Sequence, residues 1–125
     1  MRLLLDTHLV YWFYYETKRL PDEARRLIQD ADSNYVSAAS IWEIAIKSKL
    51  GKINANPKRI LESIPISGFR SLSVRPVHAA AVADLPLYHA DPFDRLLVAQ
   101  SICEPLRLVT SDEKLKQYSD QVILV

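Results

Sequence analysis

The chain is expected to fold in the α/β class, as three layers with helices on both faces of a central, mostly parallel sheet. Three observations carry that expectation. Short apolar runs such as Leu3, Leu4 and Leu5 alternate with segments of helical length and composition along the 125 residues. These runs lack the polar/apolar alternation of a half-exposed strand, as strands covered on both faces do. Four carboxylates far apart in sequence, Asp6, Glu43, Asp94 and Asp112, each follow such a run or lie on the helix after it. In a parallel fold those positions converge at the carboxyl edge of the sheet, which predicts one acidic cluster.

Taken in order, Arg2 to Leu5 reads as a buried strand ended by Asp6, and Thr7 to about Tyr15 as a helix. A second helix is expected to start at Pro21, where proline suits the first helical position and Asp22 and Glu23 favour the positive end of the dipole. Asn34 to Ser37 reads as the next strand. Ala38 to Leu50 is helical, with Gly51 where a C-terminal cap belongs. Asn56-Pro57 opens a further short helix, Phe69 to Val74 a brief strand, and Pro76 to Ala83 another helix. Asp91-Pro92 starts a helix to about Cys103, followed by a strand from Leu106 to Thr110, a helix from Asp112 to Tyr118 and a last strand from Val122 to Val125. Right-handed crossovers between parallel strands then place helices on both faces.

Nearly half the residues are apolar, enough for one domain, residues 1–125, with its own core. The net charge of +1 excludes a uniformly basic nucleic-acid coat. Between Lys47 and Arg75, however, seven basic residues face one acid, Glu62, and the remainder is net negative. The single cysteine, Cys103, excludes an internal disulfide and a cysteine-rich zinc site and reads as a small buried hydrophobe. Asp6 interrupts the N-terminal apolar run before a signal sequence forms, and no apolar stretch of about 20 residues occurs, so a cytoplasmic protein is expected. With two glycines the chain lacks a glycine-rich phosphate loop, and no serine sits in a nucleophile elbow.

Each candidate residue also has an ordinary role. Asp6 can cap the helix after it. Glu43 can pair with Lys47 one turn on, although Ala39, Ile46 and Leu50 share its helical face and predict that it points inward. Asp91 fits a capping position and Asp94, in the first helical turn, is the better ligand; Asp112 doubles as a cap or dipole partner. Thr7, Ser37, Thr110 and Ser111 are cap residues, at most donors that orient the carboxylates. His8 and His89 lack metal-ligand spacing with another histidine and read as hydrogen-bonding residues, and His78 as structural. Packed carboxylates repel, and a set of oxygen ligands without cysteine suits Mg²⁺ or Mn²⁺.

The segments LLLDTH from Leu3, SAASIWEIAIKSKLGK from Ser37, LPLYHADPFDRLLVAQ from Leu85 and LVTSDEKL from Leu108 resemble PIN-domain proteins, and more narrowly the VapC-type toxins of bacterial toxin–antitoxin pairs. The resemblance spans nearly the whole chain. It implies a PIN-like α/β/α sandwich and an Mg²⁺- or Mn²⁺-dependent endoribonuclease, with Asp6, Glu43, Asp94 and Asp112 as the catalytic, metal-holding acids and Asp91 as an accessory. It also implies a cognate antitoxin and a homodimer.

The reading is therefore metal-assisted hydrolysis of RNA phosphodiester bonds, with Lys47, Lys49, Lys52 and Arg95 as phosphate contacts. Two rivals come from other classes. Aspartyl-phosphate transfer is disfavoured because position 8 is His rather than a second Asp and no acidic pair precedes Asp6. A non-catalytic module that keeps the acidic edge for folding is the other. The aromatic stretch Tyr11 to Tyr15 exceeds what one helix face buries, so half of it is expected in the core and half at an interface.

Overall fold

The computed structural model describes residues Met1 to Val125. Five strands form one sheet in the order β3-β2-β1-β4-β5: β1 (Arg2–Leu5), β2 (Ser33–Ser37), β3 (Arg70–Leu72), β4 (Arg107–Thr110) and β5 (Val122–Leu124). Every pairing is parallel. The helices are α1 (Thr7–Tyr15), α2 (Asp22–Asp30), α3 (Ala38–Lys49), α4 (Pro57–Ile66), α5 (Pro76–Ala81), α6 (Pro92–Cys103) and α7 (Glu113–Lys116).

The three-leucine run explains the layering. Side chains alternate across a strand, so Leu3 and Leu5 point to one face and Leu4 to the other, and all three are fully buried. Leu3, Leu5, Val36 and Val109 pack with Leu9 and Val10 of α1, Ala24 and Ile28 of α2, Ile44 of α3 and Ile60 and Ile64 of α4. On the opposite face Leu4, Leu108 and Val122 pack with Leu97 and Val98 of α6 and Leu115 of α7. Truncating Leu4 to Ala would cost about 2–5 kcal/mol, since neither layer can collapse into the gap without parting from the sheet.

The chain winds from β1 outward to β2 and β3, then crosses back to β4 and β5 on the other side of β1. Reversing direction while keeping right-handed crossovers sends the later helices to the opposite face. The reversal falls between β1 and β4, whose carboxyl ends therefore open a crevice. Asp6 follows β1 and Ser111-Asp112 follows β4.

Several boundaries differ from the sequence expectation. Pro21 is the N-cap of α2 rather than its first residue. The third strand shrinks to Arg70–Leu72 because it is an edge strand paired with β2 alone. The helix from Pro76 ends at Ala81 and tightens into a 3-10 turn, Val82–Asp84. The helix expected through Tyr118 is one turn, with Asp112 as its cap. Gly51 lies beyond the end of α3 with a φ of 73°, a conformation that favours glycine. No helix is long and apolar enough to cross a membrane.

Candidate active site

Asp6 is 2 % exposed and divides its oxygens. Oδ1 accepts the Leu9 amide at 2.9 Å, capping α1, while Oδ2 accepts the Thr110 hydroxyl from the end of β4. The capping and cluster roles are thus held by one residue, and the Asp6 amide bonds the Val109 carbonyl at 3.1 Å, tying β1 to β4 at the crevice. Burial pushes the Asp6 carboxyl up, against the Thr110 and Leu9 hydrogen bonds that pull it down.

Glu43 points inward from α3 and is 4 % exposed, but not for the reason its sequence neighbours suggest. Ile46 and Leu50 are exposed, and the buried face is Ala39, Ser40, Glu43 and Ile44. That face continues through the half-buried Lys47 and Ser48, so Ile46 and Leu50 lie to one side of it. Glu43 Oε2 is held by Lys47 Nζ at 2.8 Å, whereas Oε1 is buried without a hydrogen-bond partner.

Asp94, in the first turn of α6, lines the same crevice as Asp6 and Asp112. Its carboxyl is raised to about 7, first by burial and then by the negative charges of Asp91, Asp6 and Glu43, with His89 pulling the other way. It accepts no close hydrogen bond; its polar neighbour is His89 Nε2 at 3.3 Å. Asp91 caps α6, with Oδ1 accepting from the Phe93 and Asp94 amides at 2.8 and 3.1 Å. Asp112 Oδ1 caps α7 through the Lys114 amide at 3.0 Å, leaving Oδ2 for His89 Nε2 at 2.9 Å.

His89 is the residue that the sequence alone passes over. Its Nδ1 accepts the Asp91 amide at 3.1 Å, which leaves the proton on Nε2 in the neutral ring, aimed at Asp94 and Asp112. The Tyr118 hydroxyl accepts the His89 backbone amide at 2.9 Å, which holds the main chain while Asp91 and Asp112 hold the two ring nitrogens. The ligand atoms of His89, Asp94 and Asp112 lie within 4.8 Å of one another. The one sequence signal was its place two residues before a helix cap, where a histidine can reach back to the cap's amide.

Other candidates fall elsewhere. Thr7 is buried but donates to Ser40 Oγ at 3.0 Å, so Thr110 rather than Thr7 orients Asp6. Ser111 lines the crevice from its rim. Arg95 turns away: its guanidinium donates to the carbonyls of Pro86 at 2.8 Å and Val82 at 3.2 Å and to the Tyr118 hydroxyl at 3.2 Å. Arg95 thereby ties the α5–α6 connection to the start of α6, which occupies the guanidinium expected at a phosphate. Lys49 and Lys52 are exposed, and Cys103 is partly exposed rather than buried. His8 is exposed and His78 fully buried, as a structural histidine would be.

The donors present fit a hard divalent cation. Their oxygens are carboxylates, one buried oxygen of Glu43 is unsatisfied, and among the four acids only Glu43 is paired with a lysine while Asp94 feels the charges of Asp91, Asp6 and Glu43.

Comparison with known proteins agrees with this arrangement. The PIN domain profile matches residues 3–121. The chain is 34% identical to Ribonuclease VapC22 of Mycobacterium tuberculosis (strain ATCC 25618 / H37Rv), covering 93% of this chain and 91% of that protein. Among solved structures it is similar to VapBC2 from Rickettsia felis bound to a DNA fragment from their promoter, with a TM-score of 0.72 at 18% identity over 100% of this chain and 98% of the other. It is also similar to FitAcB from Neisseria gonorrhoeae, with a TM-score of 0.69 at 19% identity over 100% and 97%. A parallel sheet that switches direction at an acid-lined crevice, together with a profile match over nearly its whole length, places this chain in the PIN domain family.

Proposed function

We propose that this chain is a divalent-metal-dependent endoribonuclease that hydrolyses RNA phosphodiester bonds, the toxin of a VapBC-type toxin–antitoxin pair. The observation that carries the reading is the unbalanced acidic cluster: Asp94 raised to about 7 beside a buried Glu43 oxygen with no partner. The ribonuclease relative and the toxin–antitoxin complexes among the structural neighbours support it.

Asp6, Asp94 and Asp112 would hold Mg²⁺ or Mn²⁺, with Glu43 beneath them as the fourth acid. Bound there, the ion supplies an activated water and neutralises charge on the phosphate. The chain's own groups set the geometry. Thr110 fixes Asp6, His89 spans Asp94 and Asp112, and Lys47 holds Glu43 in place while keeping a positive charge beside the cluster. Asp91 is an accessory that fixes the start of α6. Lys47, Lys49 and Lys52 are the candidate contacts for the RNA backbone, Lys47 beside the acids and Lys49 and Lys52 exposed. The 1–125 unit acts as one domain in the cytoplasm.

An aspartyl-phosphate at Asp6 is disfavoured because the residue two positions on is His8 rather than a second acid. The antitoxin and a second copy complete the assembly. Trp42 and Leu50 on α3, 62 % and 63 % exposed, provide the apolar area for such a contact.

The deciding experiment incubates purified protein, freed of any partner, with labelled RNA and with DNA of the same sequence. Cleavage of RNA in Mg²⁺ or Mn²⁺, its arrest by EDTA and its absence in Asp94→Asn are expected. RNA left intact in both metals would sink the enzymatic reading and favour a non-catalytic module.

A further inference from the structure

Beside the acidic crevice lies a second, narrower cavity of about 230 Å³, lined by Thr7, Tyr11, Ile44 and Lys47. The two are adjacent: His8, Trp12 and Arg19 line both. Trp12 is partly buried against the core, so its ring has little freedom to move. The Arg19 guanidinium lies over that ring, 5.2 Å from its centroid, and the His8 ring approaches it at 5.9 Å, tilted by 50°. Arg19 Nη1 meets Glu16 at 3.3 Å, which steadies the guanidinium while its side chain stays 63 % exposed.

These residues have no part in holding a cation. A planar aromatic ring, a stacked guanidinium and an imidazole are instead what an unstacked base packs against, and Arg planes and aromatic faces accept any base. The cavity is smaller than the roughly 300–1,000 Å³ that drug-sized ligands occupy, a size suited to one flat ring. The lining is mostly apolar, with Tyr11, Ile44 and Ile53 beside Trp12, as the faces of a base require, and Lys47 and Arg19 place positive charge there for the adjoining phosphate, which an apolar side chain of a protein partner would not use.

We propose that the Trp12–Arg19 pair is a nucleobase subsite, which stacks a base of single-stranded RNA next to the phosphate seated at Asp6, Asp94 and Asp112. This rests on the nuclease reading and adds to it a reason for choosing single strands. A base-paired nucleotide would first have to break its pairing and stacking to enter the cavity, so cleavage is favoured in loops and unpaired ends.

The test uses Trp12 as its own reporter. Of the two tryptophans, Trp42 is replaced by Phe, leaving Trp12 fluorescence alone. Short single-stranded RNA is titrated in Ca²⁺, in parallel with an oligomer of the same length and charge that lacks bases. Saturable quenching by RNA is expected, with about tenfold weaker binding of the baseless oligomer, the scale of one lost base–aromatic stack. Trp12→Leu should bind RNA about tenfold more weakly with unchanged Mn²⁺ affinity, and Trp12→Phe should retain most of the binding. Equal affinity for the two oligomers, measured without any change at Trp12, overturns the subsite. So does quenching by an antitoxin-derived peptide but not by RNA, which assigns the cavity to the protein partner. If either occurs while Mg²⁺-dependent cleavage persists, the nuclease reading stands without the subsite. If the parent neither cleaves nor binds RNA, both fall.

Discussion

Two histidines in this protein are held in the same way and have opposite surroundings. His78 Nδ1 accepts the Arg75 amide at 3.0 Å and its Nε2 meets Glu104 at 2.7 Å; His89 Nδ1 accepts the Asp91 amide at 3.1 Å and its Nε2 meets Asp112 and Asp94. At His78 there is one carboxylate, and Arg75 reaches it as well, at 3.3 Å. The Glu104 carboxyl is accordingly held below its ordinary range, chiefly by the His78 hydrogen bond. At His89 there are several carboxylates and none of them is paired with an arginine, and Asp94 is pushed up to about 7 despite the histidine. The same fixture closes a balanced pair in one place and leaves a demand for positive charge in the other. Local geometry is therefore a poor guide to whether a histidine is structural; the charge count around it decides.

The largest expected effect is at the unbalanced end. Asp94→Asn should lower kcat/KM by roughly 10²–10³-fold or more, the scale of removing a preorganised electrostatic partner. The metal-free variant should melt at or above the parent, because one like charge has gone. Steady-state RNA cleavage and thermal unfolding in EDTA check both, and a clear drop in the EDTA melting temperature would mean that the cluster is not under repulsion.

Next come the histidines themselves. His89→Ala should weaken Mn²⁺ binding by about 10–100-fold, the usual consequence of losing a group that orients ligands. His78→Ala should leave Mn²⁺ affinity alone and destabilise the fold by about 1–3 kcal/mol through unmet hydrogen bonds. Calorimetric titration of the two variants would erase the distinction if their metal affinities fell equally.

The pH dependence sharpens the contrast through its sign. Asp94 titrates near 7 in the folded, metal-free protein against an ordinary 3.8, so the folded form keeps a proton that the unfolded chain releases. Stability should fall as pH rises from about 4 to 7, by an amount on the order of a few kcal/mol, and burial of Asp6 acts in the same direction. Glu104 acts oppositely: its stabilising contribution is present above its ordinary 4.5 and is lost as pH falls through its lower folded value. Denaturant midpoints across pH 4–8 should show the first slope in the parent, and Asp94→Asn or added Mn²⁺ should flatten it.

The smallest effect concerns Asp91, the acid beside Asp94 whose work is capping. Asp91→Ala should cost about 1 kcal/mol, while Asp91→Asn, which caps almost as well, should change stability by a few tenths. Chemical unfolding of the pair is the check. An Asp91→Asn variant as inactive as Asp94→Asn, with stability intact, would move Asp91 from the cap into the acidic site.

Much of the fold was legible because its signals are local. The Leu3–Leu5 run demanded cover on both faces, and Asn56-Pro57 and Asp91-Pro92 marked helix starts by capping chemistry that needs no distant partner. The weaker elements, β3 and α7, were overextended because their ends are set by sheet pairing and a neighbouring turn rather than by their own residues. Glu43 was placed inward correctly, on a face misread at Ile46 and Leu50, since helical spacing defines a stripe but not which side of it the neighbouring layer covers.

By itself the sequence determined the layer order, the caps and the gathering of acids at one edge, because strand burial and N-capping act over a few residues and parallel topology then leaves little choice. Only the tertiary structure decided how each charge is spent. Of two roles open to Lys47, pairing with Glu43 and contacting phosphate, it takes the first; Arg95 was a phosphate candidate and holds a loop; His89, expected as a hydrogen-bonding residue, spans Asp94 and Asp112. Tyr118 for Arg95 and Asp112 for His89 each lie 23 residues away in sequence and within hydrogen-bond distance in space, and no local pattern encodes that choice.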